Sequence, residues 1–215
     1  MFKVMGLIQR RSDLPLDAFR LHWRTTHRGL ALRLAEAGLL AGYVQNHRLD
    51  ISVEGLKPVA DGVPELWFTS ADVFAAMRDH PTFREGAYQD EPDFMDVDDY
   101  RSQPLTEECV HGLARQDCVG LLKTILFLGT GEPCMPVDQS VRHAVQSRHS
   151  ATLAFKLAPY ASVQTIWWPD LSSFRLSWKA YGRVASGLLA EERPVFWPGE
   201  RPPPADWRPR LQTRA

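Results

Sequence analysis

The sequence predicts an α+β protein built from two ferredoxin-like βαββαβ units in tandem. Residues 2–112 alternate apolar runs and amphipathic stretches in the order β-α-β-β-α-β, the order of a sheet with two helices on one face. A strongly apolar run, VGLLKTILFL at 119–128, then reopens the pattern; Pro136-Val137-Asp138 echoes Pro15-Leu16-Asp17, and Val4 to Pro15 is the same spacing as Ile125 to Pro136. The length of 215 residues and the 44% apolar share suit one large or two small packed domains. The expected division is 1–117 for the first unit, 118–197 for a degenerate second unit, and 198–215 for a Pro-rich tail.

In the first unit, FKVMGLIQ (2–9) is a short, mostly apolar strand that ends at the charged turn Arg10-Arg11-Ser12-Asp13. Pro15 suits a first helical turn, and Asp17 places negative charge where the helix dipole favours it. The helix runs to about Ala37 and stops at Gly38, with Gly29 marking an expected kink just after His27. Strands follow at 42–50 and 63–69, flanking a loop at 51–62. Ser70 caps a second helix at 71–78, the acidic stretch 88–99 reads as irregular, and a last strand falls near 106–111. In the second unit, the pattern predicts a strand at 119–128, a helix over 139–157, strands at 162–168 and 173–178, a helix at 179–192 and a strand at 195–197. The tail has too many prolines for regular structure.

The net charge of −1, with no basic stripe along a predicted element, argues against nucleic acid as a partner. No apolar run is long enough for a membrane helix and no signal peptide is legible, so the expected location is the cytoplasm. Cys109, Cys118 and Cys134 are odd in number and lack C-x-x-C spacing, which suits plain thiols. The acidic cluster at 90–99 lacks calcium-loop spacing, GTGEP is no phosphate loop, and no motif demands a metal or other cofactor.

Chemistry concentrates between Pro15 and Glu65. Phe19, Trp23, His27, Leu30 and Leu34 share one helical face, with His22 at its flank. A histidine on such a stripe is either packed core or part of a cavity wall. Along the next strand, Tyr43, Gln45 and His47 project to one side. A hairpin centred near residue 56 sets His47 opposite Glu65, Gln45 opposite Trp67 and Tyr43 opposite Thr69. That arrangement gives an imidazole–carboxylate pair beside flat aromatic walls. The alternative is structural: Glu65 guards a sheet edge and His47 bonds backbone at a strand end.

Several words of the first half resemble the EthD family of dimeric α+β barrel proteins. They are the opening strand and helix with F-x-x-x-W-x-x-x-H (Phe19, Trp23, His27), YVQNH at 43–47, DGVPELWFTSADVFAAM at 61–77, and FREGAYQDEPDFMD at 83–96. One departure is Gly29, where the family usually has proline. The resemblance implies that the two units of this chain pair their sheets into one barrel, a pseudo-dimer, and leaves room for a homodimer of whole chains. It also implies a cavity for a small apolar or aromatic carbonyl or phenolic compound. The candidate residues are then His47, His27 and Glu65 for acid–base catalysis, and Tyr43, Trp67, Gln45 and Trp23 for substrate binding. Three functions follow from it: a lyase (dehydratase or decarboxylase) without a bound cofactor; an oxidoreductase, either a cofactor-free monooxygenase or an accessory to an oxygenase system; and a non-catalytic ligand carrier. At the offset read from the repeat, His47 corresponds to Trp168, and His27 to Arg148, so one working cavity is expected, in the first half.

Overall fold

The computed structural model describes residues 1–112, 114–150 and 156–205. Among the described residues nine strands form one sheet: β1 (Phe2–Leu7), β2 (Gly42–Arg48), β3 (Leu56–Lys57), β4 (Gly62–Phe68), β5 (Arg101–Gly112), β6 (Leu122–Leu128), β7 (His143–His149), β8 (Ser162–Trp168) and β9 (Ala185–Phe196). Their order is β2-β4-β1-β5-β7-β8-β6-β9-β3, and an added β2–β9 pairing closes the ring with only β3 outside it. The result is a closed antiparallel barrel made within one chain, a pseudo-dimeric α+β barrel.

The two halves meet through their longest strands. β5 pairs with β1 near Leu105 and then with β7 as far as Gly112. β9 pairs with β6 through Glu191 and with β2 over Ala190–Phe196. Each half thus hands its last strand to the other, and among the described residues no long edge is left unpaired. Lys3 pairs with Trp67 in the first half and Lys123 with Trp167 in the second, which fixes the internal equivalence.

The first half follows the expected order closely. α1 (Leu16–His22) runs through a π-helical turn, Trp23–His27, into α2 (Arg28–Glu36). The irregularity therefore precedes Arg28 and is a widened turn, whereas a kink was expected after His27. Ser70 caps α3 (Ala71–Met77), accepting from the Val73 amide at 3.3 Å. The acidic stretch is not all irregular: Tyr88–Phe94 is a helix, α4, continuing a second π turn at Phe83–Ala87. It is anchored by fully buried Phe94 and by Asp90, whose carboxylate is bonded by His22 and His27.

The second half departs from expectation at three places. Among the described residues no helix covers 139–150; β7 lies there, paired on one side with β5 and on the other with β8, since closing the ring needs a strand at that position. Residues 151–155 of that expected helix lie outside the described residues. The expected strand at 173–178 is instead inside α5 (Leu171–Tyr181), which Asp170 caps by accepting from the Ser173 amide at 2.7 Å. Phe174, Trp178 and Tyr181 pack on one another at helical spacing, a periodicity that outweighs the local alternation. The expected helix at 179–192 gives way to β9. Its Gly187 lies so close to Ile125 and Leu126 that a side chain would collide with β6.

The tail residues to 205 lie on the first half, with the Ala205 amide donating to Glu36 at 3.0 Å and Pro198 seated over Gly42. Residues 206–215 lie outside the described residues. Among the described residues no helix is long and apolar enough to cross a membrane.

Candidate functional site

The hairpin register decides which predicted residues meet. β2 pairs with β4 so that His47 faces Gly62, Gln45 faces Pro64, Tyr43 faces Leu66 and Val44 faces Glu65. This differs by an odd number of residues from a hairpin centred at 56, and an odd shift exchanges the two faces of a strand. The expected His47–Glu65 pair is therefore not formed. The intervening loop is not a simple hairpin turn, because Leu56–Lys57 pairs in parallel with Ala185–Ser186 of β9. Gly62 has a steric reason to sit where it does: a Cβ there would run into the Trp23 ring.

Glu65 and Trp67 face the barrel interior. Glu65 accepts from Lys3 and Lys123 at 2.5 Å each, from Asn46 at 3.0 Å, and from Arg115. Lys123 also donates to Glu192 at 2.7 Å, and Arg115 donates to Glu107 at 3.2 Å. Arg115 comes from a short helical turn in the linker and stands over the rings of Trp67, Trp167 and Trp197, 5.0–5.2 Å from their centres. Three cations (Lys3, Arg115, Lys123) thus balance three carboxylates (Glu65, Glu107, Glu192). Burial alone would raise the Glu65 pKa, but Arg115, Lys123 and Lys3 hold it well below the usual carboxylate range. Such a compensated cluster fills space and holds its own partners, so it is structural in character.

Tyr43, Gln45 and His47 face the helical layer and meet Trp23 there. Trp23 Nε1 donates to the Tyr43 hydroxyl at 2.9 Å. Gln45 Nε2 donates to the Trp23 carbonyl at 2.8 Å and to the Tyr43 hydroxyl at 2.9 Å. Because its amide nitrogen is fixed by that carbonyl, Gln45 offers only oxygen to His47, whose Nε2 lies 3.1 Å away. His47 Nε2 therefore carries the proton, and Nδ1 of the neutral ring keeps its lone pair. Nδ1 is buried and has no hydrogen-bond partner. Burial, followed by the charges of Arg193, Arg20 and Arg24, pushes the His47 pKa down to about 3.

His47 lines a pocket of about 200 Å³ between α1, the π turn, and the β2–β9 seam. Arg20 and Arg24 form its helical wall and Arg193 its β9 wall, with Asp17, Glu191 and Leu49 at the margins. The π turn matters here, since it carries both Trp23 and Arg24. A smaller cleft of about 60 Å³, lined by Leu49, Val53, Leu56 and Leu188 among others, shares Leu49 with it.

His27 belongs to another cluster. His27 Nδ1 lies 2.9 Å from one Asp90 oxygen and His22 Nε2 2.8 Å from the other, and both rings pack on Phe94. Burial would raise the Asp90 pKa, yet its bonds to the two histidines leave it lowered. Sequence reasoning missed Asp90, and placed His22 on a helix flank. It also missed Arg20, Arg24 and Arg193. The available signal was the four-residue step from Arg20 to Arg24, which puts both on one helical face beside Trp23. Among the described residues no group of three or more His, Cys, Asp or Glu is arranged to hold a metal ion.

The internal equivalence corrects the comparison of the halves. Gly42 faces Trp67 as His143 faces Trp167, so the counterpart of His47 is Arg148, not Trp168. His27 has no counterpart, because β6 and β7 are joined without a helix.

A closed barrel of two such halves with helices outside the sheet is an α+β barrel of the dimeric type. The EthD domain family matches residues 11–98, within the first half of the chain. Among solved structures, an anthrone oxidase-like protein superposes with a TM-score of 0.56 at 11% identity, covering 93% of this chain and 94% of that one. A chlorite dismutase-like protein gives 0.51 at 6% identity, covering 89% and 94%. At these identities the likeness is one of fold. No curated protein matches the sequence.

Proposed function

We propose that this chain is a small-molecule enzyme of the oxidoreductase kind, acting in the cytoplasm on a largely aromatic compound with an acidic O–H or C–H bond. His47 Nδ1 removes that proton, and the neighbouring arginines hold the resulting anion. The single observation that carries this reading is the buried, unpartnered Nδ1 of His47, a residue that lines a pocket walled by Arg20, Arg24 and Arg193. Gln45 and Trp23 act as positioning residues by fixing the ring and its tautomer. Tyr43 supports them from below.

The EthD domain and the shared fold with an anthrone oxidase-like protein support oxidation as the outcome. Deprotonation of an activated methylene gives a carbanion that transfers electrons to dioxygen. Formation of a carbonyl then retains one oxygen atom and releases the other as water, which balances without an outside reductant. A lyase would share the proton transfer and differ in needing no oxygen.

The test is turnover of anthrone by the purified full chain, with and without oxygen, beside His47→Gln. The expected result is oxygen-dependent turnover that falls about 100-fold or more in the variant, in line with the loss of a general base. Anthrone has no group to eliminate, so the lyase is tested with an aromatic β-hydroxy ketone, whose oxygen-independent loss of water would select it; binding of anthrone without turnover selects a carrier. Equal rates in the two proteins would remove His47 from the chemistry.

A further inference from the structure

The pocket beside His47 has polar groups left over. Arg20 Nε and Arg24 Nε are buried donors without acceptors, and His47 Nδ1 is a buried acceptor without a donor. Unmet buried groups are costly, so a ligand that answers all three gains from each. The charges are also unbalanced. Arg20 pairs with Asp17 at 3.1 Å and Arg193 with Glu191 at 2.7 Å, both with a well-exposed carboxylate. Among the described residues Arg24 has no carboxylate within ion-pair distance. With His47 neutral, three guanidinium groups face two carboxylates.

We propose that the substrate is an organic acid whose carboxylate is held by Arg24 together with Arg20 and Arg193, with its acidic O–H or C–H bond turned toward His47 Nδ1. This rests on the functional reading above and narrows it to a substrate class. The planar fork of arginine matches the two oxygens of a carboxylate. Arg48, also near the pocket, is already committed to Asp61 through bonds of 2.7 and 3.1 Å. Leu49 and the apolar cleft beyond it suit the hydrocarbon part of the ligand.

The arrangement has a catalytic consequence. The groups facing His47 are Asp17, Arg20 and Arg24 from the helical layer, and Glu191 and Arg193 from β9. A carboxylate among the arginines offsets their charge and so raises the basicity of the ring. The substrate then helps to activate its own base.

The probes are 3-hydroxybenzoate and its neutral amide, 3-hydroxybenzamide, titrated calorimetrically into the full chain at neutral pH. The acid is expected to bind about tenfold tighter or better than the amide, as for a gained charge-assisted contact of about 1.4 kcal/mol. Arg24→Gln and Arg193→Gln should each reduce that preference, weakening acid binding by a larger factor than amide binding. Arg193 is exposed on β9, so its variant tests the idea even if the Arg24 variant folds poorly. Bound acid should also move the His47 imidazole titration, followed by NMR, to higher pH. Equal binding of acid and amide, or no binding of either at tens of millimolar, overturns the proposal. Should the acid fail while anthrone turnover still depends on His47, only the substrate class is wrong. Should it bind through Arg24 while His47→Gln leaves turnover intact, the base assignment is wrong and the acid pocket stands.

Discussion

His47 shows how much one ring depends on its neighbours. Its proton is placed by Gln45, which is itself placed by the Trp23 carbonyl, and its charge is suppressed by burial and three arginines. The same shift makes a stability prediction. A histidine in an unfolded chain titrates near 6.5, whereas His47 in the fold does so near 3. Above 6.5 both states are neutral and the contribution is fully present. As pH falls from 6.5 toward 3 the unfolded chain binds a proton that the folded one refuses, and stability is lost. Urea unfolding of wild type and His47→Gln should show the wild type losing its lead by a few kcal/mol between pH 7.5 and 4.5. A constant gap would mean that the ring is not buried neutral.

The helical layer and the β2–β4 hairpin are fitted to each other through Trp23. The π turn widens the helix at Trp23–His27, and the indole lies over Gly62, with its ring centre 4.5 Å from that of His47. Gly62→Ala would force the indole to shift, at a cost of about 1–3 kcal/mol typical of overpacking. Because Trp23 also accepts from Gln45, the variant should lose activity beyond what its reduced stability explains. Thermal unfolding and turnover, measured together well below the melting temperature, separate the two effects. Wild-type turnover in a destabilised variant would sink the link between the indole and the site.

The barrel as a whole is held at its centre by ions as well as by apolar packing. Glu65, Lys3, Lys123, Arg115, Glu107 and Glu192 come from both halves and from the linker between them. Glu65→Gln removes the carboxylate that three cations share, and should destabilise the chain by about 3–5 kcal/mol, as when one partner of a buried pair is lost. The pH sign follows from the lowered Glu65 pKa. Its contribution is present above the ordinary value of 4.5 and is lost as pH falls below that through the folded value. Chemical unfolding of Glu65→Gln that matched wild type at pH 7 would show that the cluster is not needed for closure.

Read alone, the sequence decides the first half well, because each of its elements carries its own local signal. Alternation at 42–48, the Ser70 cap and the Phe19–Trp23–His27 stripe are written within a few residues of one another. The pairing of two units was legible through the EthD words. The second half was harder, since 143–149 is a strand chiefly because β5 and β8 both need a partner there. The site followed the same division. His47, Tyr43, Gln45 and Trp23 were legible by period and do meet. Glu65 and Trp67 fell on the opposite face, because register is set by how Trp23 clears Gly62 and by the β3–β9 pairing, not by loop length. Arg193 was out of reach of any local pattern, since only closure of β9 onto β2 brings it to His47. Residue periodicity acts over a few positions along the chain, whereas a pocket is made of groups that only the closed barrel brings together.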